Sequence, residues 1–322
     1  MNPRLPDAVV EFGEAAEKAL QAAGGVDLAR AAEADPAERR RAGAALEALG
    51  ATELDPFEDL DSAAAAGELC RAAGRVALPY PVVPVVVGRG RNPLALGGRD
   101  ASYIDHGDVF PAWTMAEVAS TPSGDQRWGA VVGGDRLATK LGPFLTPVVA
   151  SGPGGSAERS DVDLHLVLTA WLVLGATERA LELAVDHVSG RVQFGQTLAS
   201  FQAVQFQLAD VAVAVDGLRE MCRFSLWRWW DAPESCRPDS LAARLCALDA
   251  ARAVMRTCQQ LHGAAGVCDE YDVSVIYRHI QPLLRLPFGA ERTAEVMADA
   301  IAALGFDGLF PHGGPGAVWG RP

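Results

Sequence analysis

Apolar and polar side chains recur with the period of an α-helix over the first 78 residues of the chain. The segment over residues 36–49 has Asp35 as a candidate N-cap and Pro36 at the first helical position. The helices predicted in this way are residues 8–20, 36–49 and 61–73. We therefore expect a helical N-terminal domain over residues 1–78.

The period changes in the next segment, residues 79–157, which carries many of the prolines and glycines. Short runs of apolar, often β-branched residues there are typical of strands, and the glycine pairs between them are typical of turns. The predicted strand runs are residues 82–83, 85–87, 128–132 and 145–150. The predicted turns and the flexible exit are Gly97-Gly98, Gly133-Gly134 and residues 151–156. We expect a small middle β domain here.

Helical periodicity returns near residue 158 and continues almost to the end of the chain. The predicted helices are residues 160–187, 200–230, 239–261, 270–284 and 290–304. Long helices joined by short loops predict a four-helix bundle over residues 158–322, with an extended Gly- and Pro-rich tail from residue 305. The expected fold class is therefore mainly α with a small central β domain.

One of these predicted helices, residues 200–230, has a single apolar face in which side chains recur at steps of three or four. The positions of that face are Phe201, Val204, Leu208, Val211, Val215, Leu218, Cys222 and Leu226. A helix with such a face is expected to pack along its whole length against its neighbours in the bundle.

Length and composition favour a protein of 322 residues with two or three structural units. A hydrophobic content of 49% and a mean hydropathy of +0.10 provide ample material for a core. We see no apolar run of the roughly 18 to 20 residues that a membrane helix needs, and no signal peptide at the start. The expectation is a soluble cytoplasmic protein without membrane association.

A net charge of −13 disfavours nucleic acid as a partner, because contacts with phosphate need a basic face. A local arginine cluster could still bind a polyanion such as CoA. The six cysteines form no Cys-x-x-Cys pair, and the histidines lack the i, i+4 spacing of a helical zinc site. We expect reduced thiols in the core and no metal.

Two motifs in the C-terminal half carry the candidate chemistry. Arg191 and Phe194-Gly195 precede the helix with the long apolar face, and arginine suits pyrophosphate because its planar fork donates two parallel hydrogen bonds. The second motif is Gln-Leu-His-Gly-Ala-Ala-Gly at residues 260–266, followed by Tyr-Arg-His at 277–279. Together they resemble the acyl-CoA dehydrogenase family of flavoenzymes, over roughly residues 160–305.

The resemblance implies helical, β and helical domains in that order, and a FAD site built by two chains. In that family the β domain of one chain holds the isoalloxazine ring, and the bundle of its neighbour binds the pyrophosphate and adenosine end. The resemblance implies that Arg191 pairs with the pyrophosphate, that Phe194 packs against the cofactor and that Gln260 hydrogen-bonds near the ribityl group.

The same resemblance implies that the loop after Gln260 brings its backbone close to phosphate, through Gly263, Ala264 and Gly266. Ala264 departs from the family pattern, which has glycine there. The motif that meets the flavin ring in the family is not recognisable in residues 110–124.

The position of the catalytic base is a further departure from the family pattern. The family uses a glutamate to remove the α-proton of the thioester, and the resemblance puts it at Pro287 or, in some members, near His165. Neither residue is a glutamate. Glu291 and Asp163 are weaker alternative bases, because both lie where acidic side chains commonly complement a helix N-terminus.

The chain thus resembles the shortened, base-lacking subunit of actinobacterial α2β2 acyl-CoA dehydrogenases, which act on lipid or steroid CoA thioesters. This implies a non-catalytic subunit that completes the FAD site of a catalytic partner, with electron-transferring flavoprotein as the acceptor. A self-sufficient enzyme with an unorthodox base and a flavin-free scaffold protein are the alternatives. The acyl substrate and the identity of the partner stay open.

Overall fold

The computed structural model describes residues 4–97, 103–118, 127–139, 141–153 and 159–306. The helices are α1 (Asp7–Ala22), α2 (Gly25–Ala34), α3 (Arg39–Ala48), α4 (Leu60–Arg75), α5 (Val82–Gly88), α6 (Arg159–Gly190), α7 (Gln202–Asp231), α8 (Arg237–His262), α9 (Asp272–Arg285) and α10 (Ala290–Leu304). The strands are β1 (Leu94–Leu96), β2 (Tyr103–Asp105), β3 (Ala112–Ala116), β4 (Arg127–Val132), β5 (Leu137–Thr139), β6 (Gly142–Pro153), β7 (Val192–Gln193) and β8 (Gln196–Thr197).

The three predicted N-terminal helices are confirmed as α1, α3 and α4. The Asp35 carboxylate accepts a hydrogen bond from the backbone N–H of Ala37 at 2.8 Å, and a short 3₁₀ turn at Pro36–Glu38 then leads into α3. Helix α2 was not predicted. It begins directly at the glycine pair 24–25, whose positive φ angles reverse the chain after α1 and let a new helix start at once.

The valine-rich segment at residues 82–88 is a helix, α5, so the prediction of strands there is wrong. Pro81 is its N-cap and Pro84 lies in its first turn, where no backbone N–H is needed for an intrahelical bond. Val82, Val83, Val86 and Val87 are buried, in the i, i+1, i+4, i+5 pattern of a helical face. Tertiary burial of that face overrides the β propensity of valine.

Six strands form one small sheet in the order β1-β3-β4-β6-β2, with β5 also paired to β6. Only β1 and β3 run parallel. The predicted strands at 128–132 and 145–150 are confirmed within β4 and β6. Strand β6 continues to Pro153, so residues 151–153 are not the predicted flexible exit, and Gly98 and residues 154–156 lie outside the described residues.

Helices α6 to α10 form the C-terminal bundle, and the five helical segments predicted for it are confirmed. Helix α6 packs against α4 from the N-terminal part as well as against α7 and α8. A Cβ on Gly74 of α4 would lie 1.9 Å from the carbonyl oxygen of Leu172, and one on Gly175 would lie 1.9 Å from that of Arg71. Backbones therefore touch where α4 and α6 cross.

Helix α6 is also long and apolar enough to span a membrane by length and composition, in contrast to the expectation of no such run. Its most apolar window is 78% buried inside the structure, as in the core helix of a bundle.

The apolar face of α7 is only partly covered. From Val211 to Leu226 its positions are buried, whereas Phe201, Val204 and Leu208 are half-buried. Phe206 and Val213, on other sides of the same helix, are 60% and 72% exposed. The first half of α7, next to the arginine motif, is thus at the surface of the chain.

Candidate functional site

The arginine motif folds into a hairpin between α6 and α7. Strands β7 and β8 pair Val192 with Thr197 and Gln193 with Gln196, so Phe194 and Gly195 are the two central turn residues. Their φ angles are 56° and 84°, and a tight hairpin turn of this kind requires positive φ at both positions. Glycine adopts that geometry freely, but phenylalanine there costs about 1–2 kcal/mol.

The side chain of Phe194 is 84% exposed. Among the described residues, its aromatic contact is an edge-on approach to Phe201, with ring centroids 6.5 Å apart. Packing within the described part of the chain therefore offsets little of the backbone strain at Phe194.

Arg191 lies at the base of this hairpin. Its backbone N–H donates to the carbonyl of His187 at 2.9 Å, and its carbonyl accepts from the N–H of Leu198 at 2.9 Å. The residue is exposed, and no carboxylate in the described part of the chain forms an ion pair with its guanidinium. The backbone is thus fixed while the cationic fork is available to an external anion.

The glycine motif forms a 3₁₀ turn, Gly263–Val267, directly after α8. Gly263 has φ 62° and ψ −136°, a backbone geometry that strongly favours glycine, and a Cβ there would meet nothing within 4 Å. Gly266 is different, because its Cβ would lie 2.4 Å from the Gln259 carbonyl. Ala264 has no positive φ, so its methyl group adds no backbone strain. Gly263 is therefore the position that leaves space for a ligand.

The two motifs lie side by side at one end of the bundle. The rings of His187, one turn before Arg191, and of His262, immediately before Gly263, stack with centroids 4.5 Å apart. Partial burial first, and then the charges of His262 and Arg191, lower the pKa of His187. The structure thus brings together the arginine and the glycine loop that are 72 residues apart in the sequence.

Gln260 is exposed and lines a groove of about 720 Å³ beside the same turn. The groove continues along α8 past Arg256 and Arg252, with Arg285 of α9 on its other side. Three arginines give this groove a positive lining in a chain whose net charge is −13.

The two expected base positions meet elsewhere, in an internal cavity between the sheet and the bundle. Pro287 and His165 both line this cavity, whose volume is about 100 Å³. Burial, assisted by the charge of Arg244, lowers the pKa of His165 to about 3, so its imidazole is neutral. Neither residue can act as the carboxylate base that the family motif provides.

The weaker alternative bases do not border that cavity. Asp163 is fully buried, and its Oδ1 lies 2.8 Å from Nε of Arg237, with which it forms an ion pair. Glu291 is exposed in the first turn of α10, where its charge complements the helix dipole. Glu291 thus has the surroundings that its helix position suggests, whereas Asp163 is a buried carboxylate paired with a cation of α8.

Two residues of the cavity were missed by the sequence analysis. Asp105, at the end of β2, lines it with Oδ1 unbonded among the described groups, and burial raises the pKa of Asp105 to about 7. Arg244 is 3% exposed and interrupts the buried stripe of α8, between Leu241 and Leu248. The sequence pattern could have indicated Arg244, because it is a charged residue on an otherwise apolar helical stripe. No comparable pattern marks Asp105 in its short strand.

The Tyr-Arg-His segment at residues 277–279, which follows the second motif, joins two parts of the fold. Arg278 pairs with Glu33 of α2 at 3.2 Å and with Asp269 at 2.7 Å, and His279 contacts Glu33 at 2.9 Å. Burial by itself would raise the pKa of Glu33, but the hydrogen bonds and charges of His279 and Arg278 lower it below the usual value. These residues fasten α9 to the N-terminal helices.

Residues 163–305 match the family model described as acyl-CoA dehydrogenase, C-terminal domain. The chain is 33% identical over 136 residues to the probable acyl-CoA dehydrogenase YngJ of Bacillus subtilis, a match that covers 41% of this chain and 34% of that protein. It is 27% identical over 264 residues to the acyl-CoA dehydrogenase IpdE2 of Mycobacterium tuberculosis, covering 72% and 77%. The chain thus matches only about a third of the length of the Bacillus relative.

Solved structures resemble almost the whole chain. A variant of the steroid ACAD Tcur3481-Tcur3483 superposes with a TM-score of 0.77 at 19% identity, covering 93% of this chain and 99% of that one. The ChsE4-ChsE5 complex of Mycobacterium tuberculosis gives a TM-score of 0.76 at 19% identity, covering 94% and 99%. At this identity the likeness concerns the fold, which is helical, β and helical in the predicted order.

Proposed function

We propose that the protein is a non-catalytic subunit that completes the FAD site of a catalytic partner, since residues 163–305 match the acyl-CoA dehydrogenase C-terminal domain model. One observation carries the proposal. The outward-facing pair of loops is intact, with Arg191 next to Gly263, while the internal cavity at the base positions has neither a glutamate nor room for a substrate.

The outward loops fit the phosphate end of a dinucleotide. Arg191 supplies a cationic fork that no described carboxylate neutralises, and Gly263 supplies backbone with open space in front of it. Phe194 offers an exposed ring in the hairpin that follows Arg191. Gln260 adds an amide at the entrance of the arginine-lined groove. When bound, FAD accepts the hydride in the α,β-desaturation of an acyl-CoA thioester.

The inner cavity does not fit the reacting end. Pockets that hold drug-sized ligands measure about 300–1,000 Å³. The cavity here measures about 100 Å³, and Pro287 and the neutral His165 replace the expected base. Residues of the partner would therefore hold the isoalloxazine ring, the acyl group and the catalytic glutamate. Two structures with a similar fold carry paired names, Tcur3481-Tcur3483 and ChsE4-ChsE5, which supports a two-protein assembly.

The complex would act in the cytoplasm on a lipid or steroid CoA thioester and deliver electrons to an electron-transferring flavoprotein. The steroid in the name of one similar structure favours a bulky acyl group.

The test is the flavin content of the complex after co-expression with candidate acyl-CoA dehydrogenase partners. Arg191→Ala removes charge-assisted hydrogen bonds that contribute about 1.5–3 kcal/mol, so FAD should bind roughly 10- to 100-fold more weakly. Arg292→Ala, at an exposed arginine of α10 that pairs with Glu295, is the matched control and should retain FAD. Equal flavin content and activity in the two variants would falsify the proposal.

Asp105 favours a second candidate, a self-sufficient dehydrogenase. Its carboxyl borders the cavity at the expected base positions, and its pKa of about 7 suits a general base. This function requires that the chain purified alone binds FAD and desaturates acyl-CoA, and that Asp105→Asn abolishes turnover. A colourless chain that also fails to carry FAD in any complex would instead indicate a scaffold protein.

A further inference from the structure

The internal cavity contains a buried cation without a counter-charge. Arg244 of α8 is 3% exposed and lines the cavity. No carboxylate in the described ranges pairs with it, and burial alone lowers the pKa of Arg244 to about 10, so it stays charged at neutral pH. Every other buried arginine described here, such as Arg237 with Asp163 or Arg228 with Asp239, has an acidic partner.

The contacts of Arg244 use three of its five N–H donors. Its two Nη atoms donate to the backbone carbonyls of Leu283, Leu286 and Phe288 at 3.4, 2.8 and 2.6 Å. Its Nε–H has no hydrogen-bond partner among the described residues. Three neutral carbonyls hold the side chain in place, but a buried charge is costly unless an opposite charge compensates it.

A second polar side chain borders the same space. His165 Nε2 is buried and makes no hydrogen bond of good geometry with the described residues, although the Leu94 backbone is near enough to act on the ring; Nδ1 lies 3.4 Å from the Thr169 hydroxyl. The charge of Arg244 contributes to the lowered pKa of His165, which indicates that the two groups are close. Because His165 is neutral, it adds hydrogen-bonding capacity without adding a second charge.

The rest of the wall near these groups is aliphatic, with Val82, Val83, Leu96 and Leu283 among its members. Asp105 and His106 lie on the sheet side of the cavity. The charged neighbours that act on Asp105 are Arg39 and Asp108, not Arg244. An anion beside Arg244 would therefore face a cation, a neutral imidazole and hydrocarbon.

The geometry points to a binding site for a short-chain carboxylate in this cavity, with the carboxylate on Arg244 Nε and His165 and the alkyl tail among the valines. Size sets the chain length. A cavity of about 150 Å³ accommodates benzene, so a cavity of about 100 Å³ suits an acid of about four carbons. The site binds a free acid and requires neither flavin nor a partner subunit.

The experiment is calorimetric titration of the full-length chain with sodium butyrate, and with 1-butanol as the uncharged ligand of similar length. Butyrate should bind at least about tenfold more tightly than 1-butanol, because a hydrogen bond to a charged group contributes more than a neutral one. Arg244→Met keeps the length of the side chain and removes the cation, so butyrate binding should fall at least about tenfold while 1-butanol binding stays the same.

Arg244→Met also removes the bonds to the three carbonyls, so a second variant is needed in case it does not fold. Val83→Phe places a ring in the cavity and leaves Arg244 intact, and it should abolish binding of both ligands. Failure of the wild-type chain to bind butyrate at millimolar concentration would overturn the inference, with ordered water as the remaining occupant. Undiminished butyrate binding by a folded Arg244→Met or Val83→Phe variant would overturn it equally.

Discussion

Helix α6 borders the internal cavity near its beginning and presents Arg191 where it ends, so one helix joins two regions of opposite character. Around His165 the wall is mostly apolar, and the cavity of about 100 Å³ is small for a substrate. Around Arg191 it is open, cationic and strained at Phe194. The inner region has no glutamate at the expected base positions, whereas the outer region presents the arginine and the glycine loop of the two sequence motifs at the surface.

The difference shows that two regions of one fold can depend on different structural elements. The outer loops depend on the ends of α6 and α8, which stacked histidines hold together. The inner cavity depends on how β2, α5 and α9 close over α6 and α8. Substitutions in the inner region can therefore accumulate without disturbing the outer one, provided that α6 itself stays in place.

The largest expected effect comes from breaking the element that both regions share. Gly175→Ala puts a methyl group 1.9 Å from the Arg71 carbonyl, so α4 and α6 must separate. We expect a loss of about 3 kcal/mol or more in the free energy of unfolding, measured by urea denaturation. Gly190→Ala, at the end of the same helix with nothing within 4 Å, should leave stability unchanged or slightly raised. Equal stability of the two variants would mean that the helices do not cross as described.

The next effect concerns the inner region alone. Burial raises the pKa of Asp105 from 3.8 to about 7, so the folded state binds a proton that the unfolded state has released. The free energy of unfolding should therefore fall as the pH is raised from about 4 to about 7, by up to about 4 kcal/mol. Asp105→Asn removes this loss. The variant should be more stable than the wild type at pH 8, and this difference in the free energy of unfolding should be smaller at pH 5.

Asp108→Asn is the control for that prediction, three residues along the same segment. Burial by itself would raise the pKa of Asp108, but the hydrogen bond and the charge of Arg39 lower it below the usual value. Its removal should destabilise the protein at pH 8. A stabilised Asp108→Asn, or an Asp105→Asn without pH dependence, would contradict the electrostatics assigned to the cavity.

The smallest effect separates stability from function in the outer region. Phe194→Asn relieves a positive φ that asparagine tolerates, so the isolated chain should gain a few tenths to about 1 kcal/mol. The complex should lose flavin more readily, because the exposed ring is absent. A variant that loses stability would show that Phe194 packs within the chain; one that gains stability and retains flavin fully would remove Phe194 from the proposed site.

The sequence predicted the regular parts of this fold well because they follow local periodicity. The five bundle helices and the two longest strands have strong patterns or clear glycine and proline boundaries. The pattern misled at Val82–Gly88, because a β-branched run cannot reveal that tertiary packing buries one helical face. It also missed α2, because the glycine pair that ends α1 starts the next helix without a loop.

For the candidate site, the sequence identified the residues that form contiguous motifs. Arg191, Gln260 and Gly263 are such residues, and the structure adds that their loops adjoin. It did not identify Asp105 or Arg244, because the cavity assembles side chains from segments more than 130 residues apart. Their charge states depend on burial, which no local pattern reports.

The most direct test of the central claim is the ratio of FAD to protein, measured by absorbance and native mass in the chain alone and in its complex. The account predicts no FAD on the chain alone and one FAD for each pair of unlike chains in the complex. A yellow homo-oligomer with one FAD per chain would contradict it, because the inner cavity would then have to admit the flavin ring.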